Sequence, residues 1–158
     1  MQLEPELLIH AARSGNLQVL TELIKGESDL NIHDEKGFTP LIIASYNNQY
    51  EAAKLLIENG ANVNAADHGG NTALMGVAFK GYPAIAELLI ENGADLNQQH
   101  GNGGTAIMFA AMFGRNDLVK LLLVHGAQTD LCDARGLTVY EIAVQQGNTE
   151  AINLLEGN

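Results

Sequence analysis

Aromatic side chains are scarce in this chain. Among 158 residues only 5% are aromatic and none is Trp, so bulky rings cannot supply the core. The 46% hydrophobic content must come mainly from Ala, Leu and Ile, which suit short helices set close together. Cysteine is almost absent too. With Cys132 alone no disulfide can close within the chain, which fits a reducing, cytoplasmic setting. No apolar run approaches the roughly 18 residues of a membrane span, and the charged start, with Glu4 and Glu6, does not read as a secretory signal. Cations are few: eight Lys and Arg stand against nineteen Asp and Glu, for a net charge of −11. Binding a phosphate backbone requires clustered cations, and scattered ones exclude nucleic acid as the expected partner.

What the chain has in abundance is self-similarity. Thr39, Thr72, Thr105 and Thr138 are each 33 residues apart (72−39, 105−72, 138−105), and each opens a similar segment. Other columns keep the same period: Ala11, Ala44, Val77, Ala110 and Ala143, then Gly15, Asn48, Gly81, Gly114 and Gly147. A fixed period of this length implies units that cannot bury their apolar faces alone and must stack. Five units of 33 residues are expected, at about 6–38, 39–71, 72–104, 105–137 and a shorter 138–158, forming one domain over 1–158. Summing Asp, Glu, Lys and Arg over them gives −3, −2, −2, 0 and −3, with Glu4 outside, so the acidity is spread rather than gathered in a tail.

Within a unit, Thr39-Pro40 reads as a helix start, because the hydroxyl can cap free backbone N–H groups and Pro at the first position loses no needed donor. A short helix runs to about Asn47. The column of Gly and Asn48 ends it, since a left-handed residue is tolerated best as Gly and next as Asn. A second helix follows, with Leu118, Val119, Leu122 and Leu123 on one face and Asp117 and Lys120 on the other. The remainder, such as Ala65 to Asn71, carries turn signals and predicts a hairpin-like loop. The expected architecture is therefore all-α with short β-hairpin-like loops. At the C-terminal end Glu141 and Glu156 replace apolar members of their columns, as a solvent-facing last unit requires, so the array reads as complete.

The segment Thr39-Pro-Leu41, followed by Leu55-Leu-Ile57 and Asn59-Gly-Ala-Asn-Val-Asn64, resembles the ankyrin repeat, and it recurs from Thr72 and Thr105. The likeness covers nearly the whole chain and implies an ankyrin-type α-solenoid that binds protein partners through a concave groove. One column departs from the family pattern. Where the family usually places His after Thr-Pro-Leu, this chain has Ile9, Ile42, Met75, Met108 and Glu141, so apolar packing is expected to replace polar ties between units.

In such an array the hairpin tips and the exposed ends of the first helices line the groove. The column two before the helix-ending residue reads Arg13, Tyr46, Phe79, Met112 and Gln145. With Phe113 and the loop residue Phe38, these predict an apolar strip across the middle of the groove, rimmed by Lys80, Arg115 and Arg135. The competing expectation is that the rings lean sideways and pack between units.

Other motifs dissolve on inspection. Gly101-Asn-Gly103-Gly-Thr-Ala106 matches a dinucleotide fingerprint but lacks the apolar strand that must precede it; it reads as a glycine-rich tip, the most mobile of the set. His33, His68 and His100 belong to successive loops, expected about 8–10 Å apart like the helices they join, too far to share a zinc ion. Ser14, Ser28 and Ser45 have no matching His and carboxylate, and Asp133 beside Cys132 disfavours a thiolate. Asn31, Asn64 and Asn97 occupy one loop column, where the amide can fix the loop by backbone hydrogen bonds. No metal or cofactor is expected. The chain reads as a monomeric, non-catalytic protein-binding module; the second reading is an acidic effector or mimic acting through its negative field on a basic target.

Overall fold

The computed structural model describes residues 3–157. Among them run ten helices: α1 (Leu3–Ser14), α2 (Leu17–Lys25), α3 (Pro40–Tyr46), α4 (Tyr50–Glu58), α5 (Ala73–Lys80), α6 (Pro83–Glu91), α7 (Ala106–Met112), α8 (Asn116–Val124), α9 (Val139–Gln145) and α10 (Thr149–Glu156). The Thr column starts α3, α5, α7 and α9. The Ile42 amide donates to Thr39 Oγ1 at 3.2 Å and the Met75 amide to Thr72 Oγ1 at 3.3 Å, and Thr138 closes a capping box with Glu141. Thr105 departs from its column: its hydroxyl caps nothing and lies buried without a hydrogen-bond partner. The odd-numbered helices end on left-handed residues as the spacing predicts, with φ of 70° at Gly15, 57° at Asn48, 84° at Gly81, 72° at Gly114 and 64° at Gly147. Asn48 is tolerated there because its short amide costs less in this region than other L side chains.

The helices stack in two rows. Odd helices pack against odd and even against even along the array, and the odd row is the more closely packed. Its residues explain why: Ala44, Val77, Ala110 and Ala143, with Ala12, Ala78 and Ala111, are completely buried at the contact, and small side chains let helix axes approach. A tight inner row beside a looser outer row curves the array toward the inner helices and their loops. Leu20, Leu56, Leu89 and Leu122 fill the space between the rows.

Ser45 sits where Ala12, Ala78 and Ala111 stand in other units, fully buried, and its Oγ has no partner. A buried unpaired hydroxyl costs free energy that a methyl group does not. Ser45→Ala is expected to raise the unfolding free energy by about 1 kcal/mol, measured by urea denaturation.

The loops are ordered by their carboxylates and amides. Asp34 Oδ1 accepts the amides of Lys36 and Phe38, and Asp67 and Asp133 repeat the pattern. Adjacent tips are joined by one bond each: His68 N–H donates to Lys36 O at 3.0 Å, Gly101 N–H to Gly69 O at 2.9 Å and Ala134 N–H to Asn102 O at 2.8 Å. The glycine-rich tip is therefore tied on both sides, as the Asp67 tip is, and Gln99 Nε2 adds bonds to Gly103 O and Cys132 O. Among the described residues the strand character is slight, a single bridge from Ala66 to Thr72.

Polar ties between units, expected to be lost with the absent histidines, return at two other columns. Asn31, Asn64 and Asn97 each accept an amide of the following unit, from Asn62, Asp95 and Gln128, at 2.7, 2.7 and 2.8 Å. The residue after the helix-ending Gly or Asn reaches back to the preceding inner helix: Gln49 Nε2 donates to Arg13 O, Arg115 Nε to Phe79 O and Asn148 Nδ2 to Ala111 O. Carbonyls near a helix C-terminus have no partner within the helix, so these side chains cap one unit from the next. Asn148 also caps α10 through the Ala151 amide and exchanges two amide bonds with Asn116. Asn148→Ala is expected to cost about 2 kcal/mol. The loss of α10 helicity before global unfolding, followed by hydrogen exchange, checks it.

Candidate functional site

A cleft of about 570 Å³ opens between the inner helices of the first four units and the loops that carry Phe38, Asp67 and Asn71. Ile42, Ile43 and Tyr46 of α3 and Met75, Gly76 and Phe79 of α5 form its floor; Phe38, Asp67 and Asn71 line it from the loops, with Phe109 and Phe113 at the far end. The rings of the predicted strip meet here. Tyr46 stacks on Phe79 with centroids 6.3 Å apart and planes 16° from parallel, and Phe79 meets Phe113 edge-on at 4.7 Å and 83°. The strip is both packed and open: Tyr46 is 41% and Phe113 44% exposed, with Phe79 half-buried between them. Contacts between rings preorganise the strip, while the exposed faces remain available.

The candidate residues divide in two. Phe38, Tyr46, Phe79 and Phe113 line this cleft. Met112 points into a second cleft of about 380 Å³, shared with Arg135, His100 and Met108; Phe113 takes its place beside Phe79. Lys80 Nζ stands 5.0 Å above the Tyr46 ring centroid, and Arg115 is fastened to the Phe79 carbonyl at 3.0 Å. Arg135 pairs with Asp133 at 2.8 Å. Burial pushes the Asp133 carboxyl pKa up, but the Arg135 guanidinium and the Leu137 and Arg135 amides outweigh it and hold the group below its ordinary value. At the end of the array, Tyr140 O–H donates to Glu156 Oε1 at 2.8 Å, and that bond raises the phenol above its usual range.

Ile43, Gly76 and Phe109 line the cleft but escaped the sequence reading. Phe109 lines both clefts and carries the His100 ring at 5.1 Å. Gly76 lies one period before it, in the column Ile43, Gly76, Phe109, Ile142; an isolated glycine inside a helical pattern was the available signal.

The histidines come closer than helix spacing implies. His33 and His68 meet edge-on at 5.5 Å, because bonded loops approach nearly as strands do, about 4.7–4.9 Å apart. Among the described residues no group of three His, Cys, Asp or Glu is placed to hold a metal. In the glycine motif, Gly101 and Gly103 donate their amides to Gly69 O and His100 O, which turns them away from a phosphate.

Helix pairs, left-handed turns, tied hairpin tips and an open cleft define a helical repeat array. The profile of the family described as ankyrin repeats (3 copies) matches residues 7–100 and again 74–157. The chain belongs to the ankyrin repeat family. Among curated proteins none matches the sequence significantly. Ankyrin repeats are in general protein–protein interaction modules and are typically non-enzymatic. No helix among the described residues is long and apolar enough to cross a membrane.

Proposed function

We propose that the chain is a non-catalytic recognition domain, acting over residues 1–158 as a cytoplasmic monomer, that holds a protein partner in its concave groove. The observation that carries this reading is the apolar cleft of about 570 Å³ with the partly exposed strip of Tyr46, Phe79 and Phe113. Contiguous exposed apolar surface marks binding sites, and rings held in place lose little entropy on binding. Phe38 supports the strip from the loop side; Lys80 and Arg115 orient the partner. Met112 and Arg135, in the neighbouring cleft, extend the surface toward the last unit. The net charge of −11 speaks against nucleic acid, and the lone Cys132 suits a reducing compartment.

The test compares native lysate passed over immobilised wild-type protein and over a Phe79→Ala, Phe113→Ala variant. A protein retained by the first and lost from the second is the expected result. One retained equally by both moves the site out of the groove and favours the acidic exterior acting on a basic target. Such binding would collapse between low and physiological ionic strength.

A further inference from the structure

We propose that the groove takes an acidic segment of its partner, with one large apolar side chain of that segment seated in a notch over Gly76. This rests on the groove being the recognition surface and names what it recognises.

The notch is visible in the inner-helix column. Ile43 and Phe109 present large side chains to the cleft on either side, and Gly76 between them presents none. Glycine inside a helix costs roughly 0.5–1 kcal/mol relative to Ala. Nothing in the backbone demands it here: the single atom that a Cβ at Gly76 would crowd is Tyr46 Cδ1, at 3.3 Å. Gly81 and Gly114 hold positive φ, whereas Gly76 does not. The missing side chain lets the Tyr46 ring lie against α5 and leaves the backbone at Gly76 lining the cleft beside that ring.

The charge of the rim selects the partner. The turns that follow the inner helices, at 13–16, 46–49, 79–82, 112–115 and 145–148, contain none of the nineteen carboxylates and three of the eight cations, Arg13, Lys80 and Arg115. In a chain of net charge −11 this edge is the exception. The ion pairs among the described residues join Lys25 to Glu22, Lys54 to Glu58 and Arg135 to Asp133, so among these residues no carboxylate pairs with Arg13, Lys80 or Arg115. Arg13 lines the cleft, Lys80 covers Tyr46 and Arg115 is anchored beside Phe79. The carboxylate facing the cleft, Asp67, has its oxygens occupied by the Gly69 and Asn71 amides and the Asn71 side chain. An apolar notch edged by unneutralised cations, on an otherwise acidic protein, complements an acidic peptide and repels a basic one.

A short random peptide library displayed on phage, selected on the wild-type chain, tests this. The most enriched sequence is then synthesised and its affinity followed by fluorescence anisotropy. Enrichment of Phe, Leu, Met or Tyr flanked by Asp or Glu is expected. The peptide should bind Gly76→Leu about tenfold more weakly or worse, since the notch is filled. It should bind Lys80→Gln, Arg115→Gln about fivefold more weakly at low salt, a difference that shrinks as ionic strength rises. A single cooperative melting transition and an unaltered far-ultraviolet circular dichroism spectrum verify that both variants fold.

Enriched peptides that are neutral or basic, yet lost on Phe79→Ala, Phe113→Ala, would overturn the acidic partner and leave the groove reading standing. Peptides indifferent to the aromatic replacements and to Gly76→Leu would overturn both. No enrichment above an unrelated protein would refute a linear acidic occupant.

Discussion

Leu89→Ala is expected to lower the unfolding free energy by about 3 kcal/mol, near the middle of the range for emptying a leucine site in a sealed core. Leu89 is on α6, wholly buried where the two helix rows meet. Its period mates Leu56 and Leu122 are equally buried, Leu23 in the first unit retains 9% exposure, and Leu155 in the last is only half-buried. An array of stacked units draws its stability from interfaces with neighbours, and a middle unit has two. Leu155→Ala, with one neighbour and partial exposure, should therefore cost about 1 kcal/mol. Urea denaturation of the two variants checks the ratio. Equal losses would mean that the leucines act independently of their place in the array.

Gly37→Ala should be comparably damaging for a different reason. Gly37 has a φ of 84°, where an L residue costs about 1–2 kcal/mol. A Cβ there would also come within 2.6 Å of the His68 amide nitrogen and 3.0 Å of the Asp67 Cα, the backbone of the next loop rather than a side chain that could swing aside. The bond from His68 N–H to Lys36 O lies at the same place, so relief of the clash breaks the tie between the tips. A total of about 3 kcal/mol is expected. Gly136 is the internal control. It occupies the same column with a φ of 81°, but nothing lies within 4 Å of where its Cβ would be. Gly136→Ala should thus cost only the conformational part, about 1 kcal/mol. Amide exchange at His68 should quicken in Gly37→Ala, and this readout separates loss of the tie from general destabilisation.

The repeat period, the helix starts and the left-handed helix ends are legible in the sequence because each depends on a local interaction. A Thr hydroxyl reaches an amide three residues on, and a left-handed turn needs Gly or Asn at one position, so a side-chain type marks the event. Thr105 shows the limit: the same residue at the same column makes no cap, and nothing in its neighbours explains the difference. The polar ties made from the turns after the inner helices were illegible for the opposite reason. Gln49, Arg115 and Asn148 perform one task with three chemistries, and no single residue type marks the column. Phe38, Tyr46, Phe79 and Phe113, which the spacing assigns to one strip, line a common cleft. Met112 and Phe113 are adjacent in sequence but enter different clefts, a consequence of the 100° turn between successive helical residues.

By itself, then, the sequence determined that this chain is an acidic stack of helix pairs with tied loops, since period, capping and turn chemistry are written at short range. Only the tertiary structure decided that Gly76 lines the cleft between Ile43 and Phe109, that the rings of three units touch, and that Lys80 lies over the Tyr46 ring while Arg115 is fastened to the Phe79 carbonyl. Those relations join residues about one repeat apart through the curvature of the inner row. That curvature is set by how closely small side chains let the helices approach, which emerges only when every unit is packed against the next.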